Sequence, residues 1–246
     1  MRYFIEMSYN GTPFFGWQVQ PEQPSVQGVM ERALTLLLRE PIAVTGCGRT
    51  DTGVHARQFF AHFDFVQLFD NEQLVELADK LNSFLPKEIS ICRIFLVSDD
   101  FHARFSAKSR TYKYYVAVQK DAFRFHYSYR VFQKLDVDKM NAAAKLLLDT
   151  EDFTSFSKLH TQTATNICHV SEAHWQMENG LLVFTITADR FLRNMVRAIV
   201  GTLLDVGRGK MELTQFQGVI NQKNRCAAGT SVPANALFLQ KVEYVF

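Results

Sequence analysis

No two cysteines of this chain stand in a CxxC pair. The four, Cys47, Cys92, Cys168 and Cys226, are widely spaced, which argues against a disulfide framework and makes free thiols in a reducing compartment the expectation. No apolar run approaches membrane-spanning length, and Glu6 arrives before the apolar core of a signal peptide can develop. The cytoplasm is therefore the expected location, with no membrane association. Internal repeats and low-complexity stretches are also missing. No GxSxG elbow supports a Ser-His-Asp triad, and Cys47, His55 and His62 fit no zinc-ligand spacing. Asp51 has no acidic neighbour in sequence, as a carboxylate cluster of the metal-dependent nuclease type would need. His160, His169 and His174 are scattered and read as surface residues.

What is present is an ordinary globular balance over 246 residues, 47% hydrophobic and 21% charged, enough to bury a core in one large domain or two small ones. The net charge of +2 conceals a segregation. Between Asp100 and Lys134, eight Lys/Arg stand against two acids, and between Arg190 and Lys210, five stand against Asp205 alone. Positive charge concentrated on an otherwise acidic chain suggests a polyanion footprint; two solvated basic faces fit the same pattern. The stretch 100–134 interleaves its basic residues with Phe101, Phe105, Tyr112, Tyr114, Phe123, Phe125, Tyr127 and Tyr129, a mixture suited to RNA phosphates and bases. The same aromatics also read as core residues on one strand face, with the basic residues on the other. A pair of non-catalytic RNA-binding modules would carry an RNP1-like strand, and none is found.

Periodicity predicts a strand at 3–9 and a helix at 25–39, with Val26, Val29, Met30, Ala33, Leu34 and Leu37 on one face and Pro41 as its stop. A β-branched strand at 42–46 leads into a polar loop at 47–57. A strand at 58–66, a helix at 72–85 opened by an Asp70/Gln73 capping box, and a strand at 89–97 follow. The order β-α-β-β-α-β is the ferredoxin-like plan. The second half repeats it behind an extra strand: strands at 111–119 and 127–132, a helix at 138–149 burying Met140, Ala143, Ala144 and Leu147, strands at 166–177 and 181–188, helices at 190–206 and 213–221, and a strand at 237–245. The boundary falls near residues 98–110, and a cleft between two such halves is the usual place for a ligand.

The most unusual segment is Gly46-Cys47-Gly48-Arg49-Thr50-Asp51-Thr52-Gly53-Val54-His55-Ala56. Its glycines permit tight backbone geometry, and it sets an Arg and an Asp two residues apart between two strands. It is no phosphate-binding P-loop, lacking Gly-Lys-Ser/Thr and a following helix. A hairpin loop with Asp51 capping a turn accounts for the same residue types. Arg197 sits in the helix beside Val196, Ala198, Ile199 and Val200, with Arg193 one turn earlier. An arginine among apolar residues requires a partner or must snorkel to water. Tyr112 lies in a strand with Tyr114 and Tyr115, a pattern that reads as core.

Gly48-Arg49-Thr50-Asp51-Thr52-Gly53-Val54-His55-Ala56 resembles the active-site motif of the tRNA pseudouridine synthases of the A class, which modify positions 38 to 40 of the anticodon arm. Tyr9-Asn10-Gly11-Thr12 with Phe15-Gly16-Trp17-Gln18 is similar to that family's first strand and turn. Phe101-His102-Ala103-Arg104-Phe105-Ser106-Ala107 and Arg110-Thr111-Tyr112-Lys113-Tyr114 match a second motif, and Asp152-Phe153-Thr154-Ser155-Phe156 a third. Phe191-Leu192-Arg193-Asn194-Met195-Val196-Arg197 with Ile199-Val200-Gly201-Thr202-Leu203 resembles a fourth, so the likeness spans essentially the whole chain. Two positions depart from it: Thr52 stands where alanine is common, and Ala236 replaces a glycine before Leu237-x-Leu239.

The resemblance implies an α+β pseudouridine synthase fold, with two ferredoxin-like halves of mainly antiparallel sheet flanking a cleft. Residues 1–105 would carry the catalytic loop and 106–246 would complete the cleft. It also implies tRNA as partner, a homodimer, and neither metal nor organic cofactor. Asp51 becomes the catalytic carboxylate, Arg197 its ion-pair partner, Tyr112 the ring that packs on the target base, and Arg49 a substrate-engaging residue. From charge rather than from the resemblance, Arg104, Lys108, Arg110 and Arg193 are candidate phosphate contacts; Arg190 and Arg193 also read as simply solvated. The chemistry suits these types. A carboxylate can attack sugar or base, or take a proton from the ribose, and a nearby guanidinium opposes the neutralisation that a dry site would impose on it.

Overall fold

The structure is a computed structural model that describes residues 1–158 and 165–245, so His160 lies outside the described residues. The chain is α+β and divides into two compact units, Met1–Lys108 with Leu239–Phe246, and Ser109–Phe238.

In the first unit, β1 (Arg2–Tyr9), α1 (Val26–Leu38), β2 (Thr45–Gly46), β3 (His55–Asp64), α2 (Asn71–Phe84) and β4 (Ile89–Val97) follow the ferredoxin-like order. β4 and β3 flank β1 and β2 pairs with β3, all antiparallel, as two split β-α-β crossovers require. Alternation along β1 buries Tyr3, Ile5, Met7 and Tyr9. Met30, Ala33 and Leu34 of α1 and Leu74, Leu77, Ala78 and Leu81 of α2 join this core. Ser25 caps α1 and the Asp70/Gln73 box caps α2, with both reciprocal bonds formed.

β2 is shorter than the strand expected at 42–46 because α1 side chains take its amides. Ile42 N–H donates to Thr35 Oγ1 and Val44 N–H to Glu31 Oε1, leaving only Thr45 and Gly46 to pair with β3. β3 in turn begins three residues before the expected 58, because Tyr9 of β1 pairs with Ala56.

The second unit holds β5 (Ser109–Ala117), β6 (Tyr129–Arg130), α3 (Val137–Lys145), β7 (Val170–Glu178), β8 (Leu181–Ala188), α4 (Met195–Gly207) and α5 (Leu213–Gln222), and the chain ends in β9 (Leu237–Glu243), which belongs to the first unit from Leu239 onward. β8 pairs antiparallel with β5 and β7, and the β7–β8 hairpin turns on Asn179 and Gly180, both at positive φ, as a two-residue primed turn demands. Only two residues of the strand expected at 127–132 pair, in parallel, with the end of β5.

The helix expected at 190–206 starts only at Met195, because Asn194 adopts a left-handed φ of 65° at its N-cap. Arg193 therefore precedes the helix rather than lying one turn earlier on it. β7 likewise starts at Val170 rather than 166: Cys168 N–H donates to Glu151 O and Phe153 N–H to Asn166 O, tying that stretch to residues 151–153 instead. All four cysteines are free thiols. Among the described residues no helix is long and apolar enough to cross a membrane.

Candidate active site

The Gly-rich loop between β2 and β3 is held from both ends and in the middle. Cys47 N–H donates to Phe60 O at 2.7 Å, and Val54 N–H closes a turn on Asp51 O at 3.1 Å. Gly53 occupies that turn's third position at a φ of 77°, a conformation that favours glycine. Thr50 is the central anchor. It is buried, its hydroxyl lies 2.9 Å from the Tyr9 hydroxyl, and its carbonyl accepts the Trp17 N–H at 3.2 Å.

Residues 9–17 pack so closely on this loop that side chains are excluded. A Cβ on Gly11 would lie 2.0 Å from Val54 O, and one on Gly16 would lie 2.4 Å from Thr50 O. On Gly46 it would strike the Trp17 ring at 2.5 Å, and that indole packs on Phe59 with ring centroids 4.2 Å apart. The buried His55 completes the brace: its Nδ1 accepts the Gly11 N–H at 3.0 Å. The result is a rigid backbone that presents Asp51 half-buried between exposed Arg49 and Thr52. Sequence reasoning named Asp51 and Arg49 but gave no role to Tyr9, Gly11, Gly16, Trp17, Thr50 or His55. The signal was there in the two glycines and the tryptophan of the first motif.

Arg104 and Lys108 are the other candidates of the first unit. Arg104 is exposed over the Phe105 ring, and Lys108 is exposed with its N–H donated to Glu243 O. Phe101–Ala107 itself acts as a clip. Ala103 is fully buried, its N–H donates to His62 Nδ1, and its carbonyl accepts the Tyr244 hydroxyl at 2.6 Å. His62 is buried, and burial followed by the charge of Arg2 lowers its pKa to about 4. β3 also carries Arg57 and Gln58 into an open groove of about 490 Å³, lined further by Glu6, Ser8, Ser90 and Lys241.

In the second unit, Tyr112 of β5 is half-buried, and its ring meets Phe191 edge-on at a centroid distance of 5.1 Å. Arg110, two residues before it, donates from Nη1 to Asp189 O at 2.8 Å. Tyr114 is instead a core residue, fully buried with its hydroxyl donated to Pro233 O; burial raises its pKa. Part of the basic stretch is engaged internally. Lys113 pairs with Glu178 at 2.8 Å, and Arg124 pairs with Asp121 and donates to Asn179 O.

Every residue of α4 is buried except Arg197 and Asp205, which are half-buried. Arg197 is held by Val232 in both directions: its Nε–H donates to Val232 O at 2.7 Å, and its own carbonyl accepts the Val232 N–H at 3.2 Å. Arg193 is exposed, and its carbonyl accepts the Lys158 N–H. The motif at 152–156 is structural. Asp152 accepts from Thr154 and pairs with Lys223, while Ser155 donates to Val219 O and accepts the Asn224 N–H. Of the two departures from the family pattern, Thr52 is exposed beside Asp51, and Ala236 is fully buried in the turn before β9.

An α+β protein that braces a half-buried aspartate on a glycine-rich loop fits a family whose model, described as tRNA pseudouridine synthase, matches residues 143–245. Relatives extend the match to the loop itself. The tRNA pseudouridine synthase A of Bacteroides thetaiotaomicron is 55% identical over 246 residues, covering 99% of this chain and 90% of that protein. The protein of the same description from Parabacteroides distasonis is 54% identical over 243 residues, covering 99% and 96%, and that from Bacillus licheniformis is 41% identical over 248 residues, covering 99% of each. The chain belongs to the tRNA pseudouridine synthase A family.

Proposed function

We propose that this chain isomerises uridine to pseudouridine in the anticodon arm of tRNA, at positions 38, 39 and 40, with Asp51 as the reactive carboxylate. Family membership supports the reaction and the tRNA substrate. The observation that carries the assignment of Asp51 is the brace at Thr50, which fixes the backbone one residue before it.

In this reading the bond between uracil N1 and the ribose breaks, the base turns, and C5 joins the same sugar carbon. The proton on C5 is lost and N1 gains one, so substrate and product are isomers. No oxidant, energy source, metal or organic cofactor enters the balance. Asp51 acts as nucleophile or base, and the Arg197 guanidinium keeps it ionised. Tyr112 stacks on the detached base without fixing its rotation. Arg49 engages the substrate, and Arg104, Lys108, Arg110 and Arg193 contact phosphates. Residues 1–105 supply the catalytic loop and Arg104, and residues 106–246 supply Lys108, Arg110, Tyr112, Arg193 and Arg197. The protein works as a homodimer in the cytoplasm.

The test is incubation of the purified protein with a folded, unmodified tRNA transcript, without added metal or cofactor, followed by mapping of pseudouridine. Product at positions 38 to 40 is expected. Product elsewhere in the tRNA overturns the site, and no product overturns the activity.

A further inference from the structure

The segment Ala228–Pro233 follows α5 and its short 3-10 turn and lies along α4, fastened at almost every residue. Gly229 N–H donates to Thr202 Oγ1 at 2.9 Å, and that hydroxyl donates to Ala198 O at 2.8 Å. Thr230 O sits so close to Gly201 that a Cβ there would meet it at 1.9 Å. Ser231 Oγ accepts from Asn194 Nδ2, at the N-cap of α4, at 2.7 Å. Val232 exchanges two bonds with Arg197, and Pro233 O accepts the buried Tyr114 hydroxyl. One side chain spans the start of this strap. Arg225 donates from Nη1 to Ala228 O at 3.4 Å and Gly229 O at 3.1 Å, and from Nη2 to Ser231 Oγ at 2.8 Å.

We propose that Arg225 is a positioning residue for the reaction, clamping the strap so that the Val232 carbonyl orients the Arg197 guanidinium. The inference rests on the reading of Arg197 as the partner of Asp51. A guanidinium is a planar fork, and a bond at Nε fixes both its tilt and the direction of the opposite edge. The Val232 carbonyl can serve that purpose only if its own backbone does not drift. Hydrogen bonds from Val232 N–H to Arg197 O and from Tyr114 to Pro233 O hold it on one side. On the other side, Arg225 ties three positions of the strap together through a single rigid group. Lysine could not replace it, since one ammonium on a flexible stem does not reproduce a planar fork reaching three acceptors.

The test compares Arg225→Ala, Arg225→Lys, Arg197→Ala and the double variant Arg197→Ala/Arg225→Ala on an unmodified tRNA transcript, reading kcat and KM separately alongside the thermal midpoint. Arg225→Ala is expected to lower kcat roughly 10- to 100-fold with KM within about 2-fold of wild type, as misplacement of a catalytic group does. Arg225→Lys should not rescue it, and the double variant should be no slower than Arg197→Ala, because both changes remove one function. Losses that multiply in the double variant, or a wild-type kcat for Arg225→Ala, overturn the positioning role. A wild-type kcat for Arg197→Ala overturns the reading of Arg197 instead, so the two failures are distinguishable. Should Arg225→Ala not fold, Ser231→Ala replaces it. That variant removes only the acceptor shared by Arg225 and Asn194, and it should show a smaller kcat loss that is again absent in the Arg197→Ala background; an unchanged kcat counts against the proposal.

Discussion

The hydroxyl of Tyr9, near the end of β1, lies 2.9 Å from the hydroxyl of Thr50, and both residues are buried. A strand of the sheet thereby holds the backbone directly before Asp51. Tyr9→Phe deletes this bond at almost constant shape. A loss of about 1 kcal/mol in stability is expected, with turnover reduced roughly 3- to 10-fold as the loop loosens. Denaturant midpoints and steady-state rates measure the two effects, and a wild-type rate with the stability loss present would separate the brace from catalysis.

Asp51→Asn keeps the loop's shape and removes its negative charge. Isomerisation should fall by at least about 1,000-fold, the scale expected for loss of a nucleophile or base, while tRNA binding changes little. A filter-binding assay beside a turnover assay decides this. Substantial activity in the variant removes Asp51 from its role.

Gly16 combines a φ of 88° with a Thr50 carbonyl 2.4 Å from any Cβ. Gly16→Ala therefore meets strain and collision with backbone at once, and should destabilise the first unit by more than about 2 kcal/mol. Thermal unfolding of the variant reads the loss directly. An unchanged midpoint would show that the 9–17 segment yields more easily than its contacts suggest.

Binding to tRNA should weaken steeply as salt rises, since phosphate contacts release counterions. Alanine at Arg104, Lys108 or Arg193, all exposed, is expected to flatten the log–log slope by about one unit each where a phosphate contact is lost. Arg110 differs, because its guanidinium already donates to Asp189 O, and its replacement should cost stability as well. Titrations at several salt concentrations test all four, and a flat response in the wild type removes the basic footprint.

His62 gives the pH dependence of stability a definite sign. Its Nδ1 accepts the Ala103 N–H, and burial with the Arg2 charge lowers its pKa from 6.5 to about 4. The folded state favours the neutral ring, so the full contribution is present above pH 6.5 and is lost as pH falls toward 4. The loss reaches about 3 kcal/mol once the unfolded chain's histidine is fully protonated and the folded one follows. His62→Gln should flatten the stability curve across that window in denaturant melts at fixed pH. An unchanged slope would mean other groups govern it.

The elements that were legible in the sequence were those with local causes. The α1 face of Met30, Ala33 and Leu34, the Asp70/Gln73 box and the buried set Met140, Ala143, Ala144 and Leu147 follow from periodicity and capping alone. The misread boundaries had remote causes. β2 lost residues 42–44 to side chains of α1, β3 gained His55 to Arg57 through pairing with β1, and α4 lost residues 190–194 at a left-handed Asn194 whose side chain donates to Ser231, 37 positions further on. None of these is visible in a window of neighbouring residues.

The same division holds for the candidate site. The amino-acid order alone determined that an aspartate and an arginine share a glycine-rich loop between two strands, and that a second arginine interrupts an apolar helix, because loop composition and helical period are local properties. Only the tertiary structure decided that Tyr9, Gly11, Gly16 and Trp17 brace that loop, that Val232 O accepts from Arg197, and that Arg225 bonds the segment leading to Val232. Those contacts join residues as much as 44 positions apart in the first unit and 35 in the second. Close packing of distant backbone, rather than any pattern along the chain, brings them within reach.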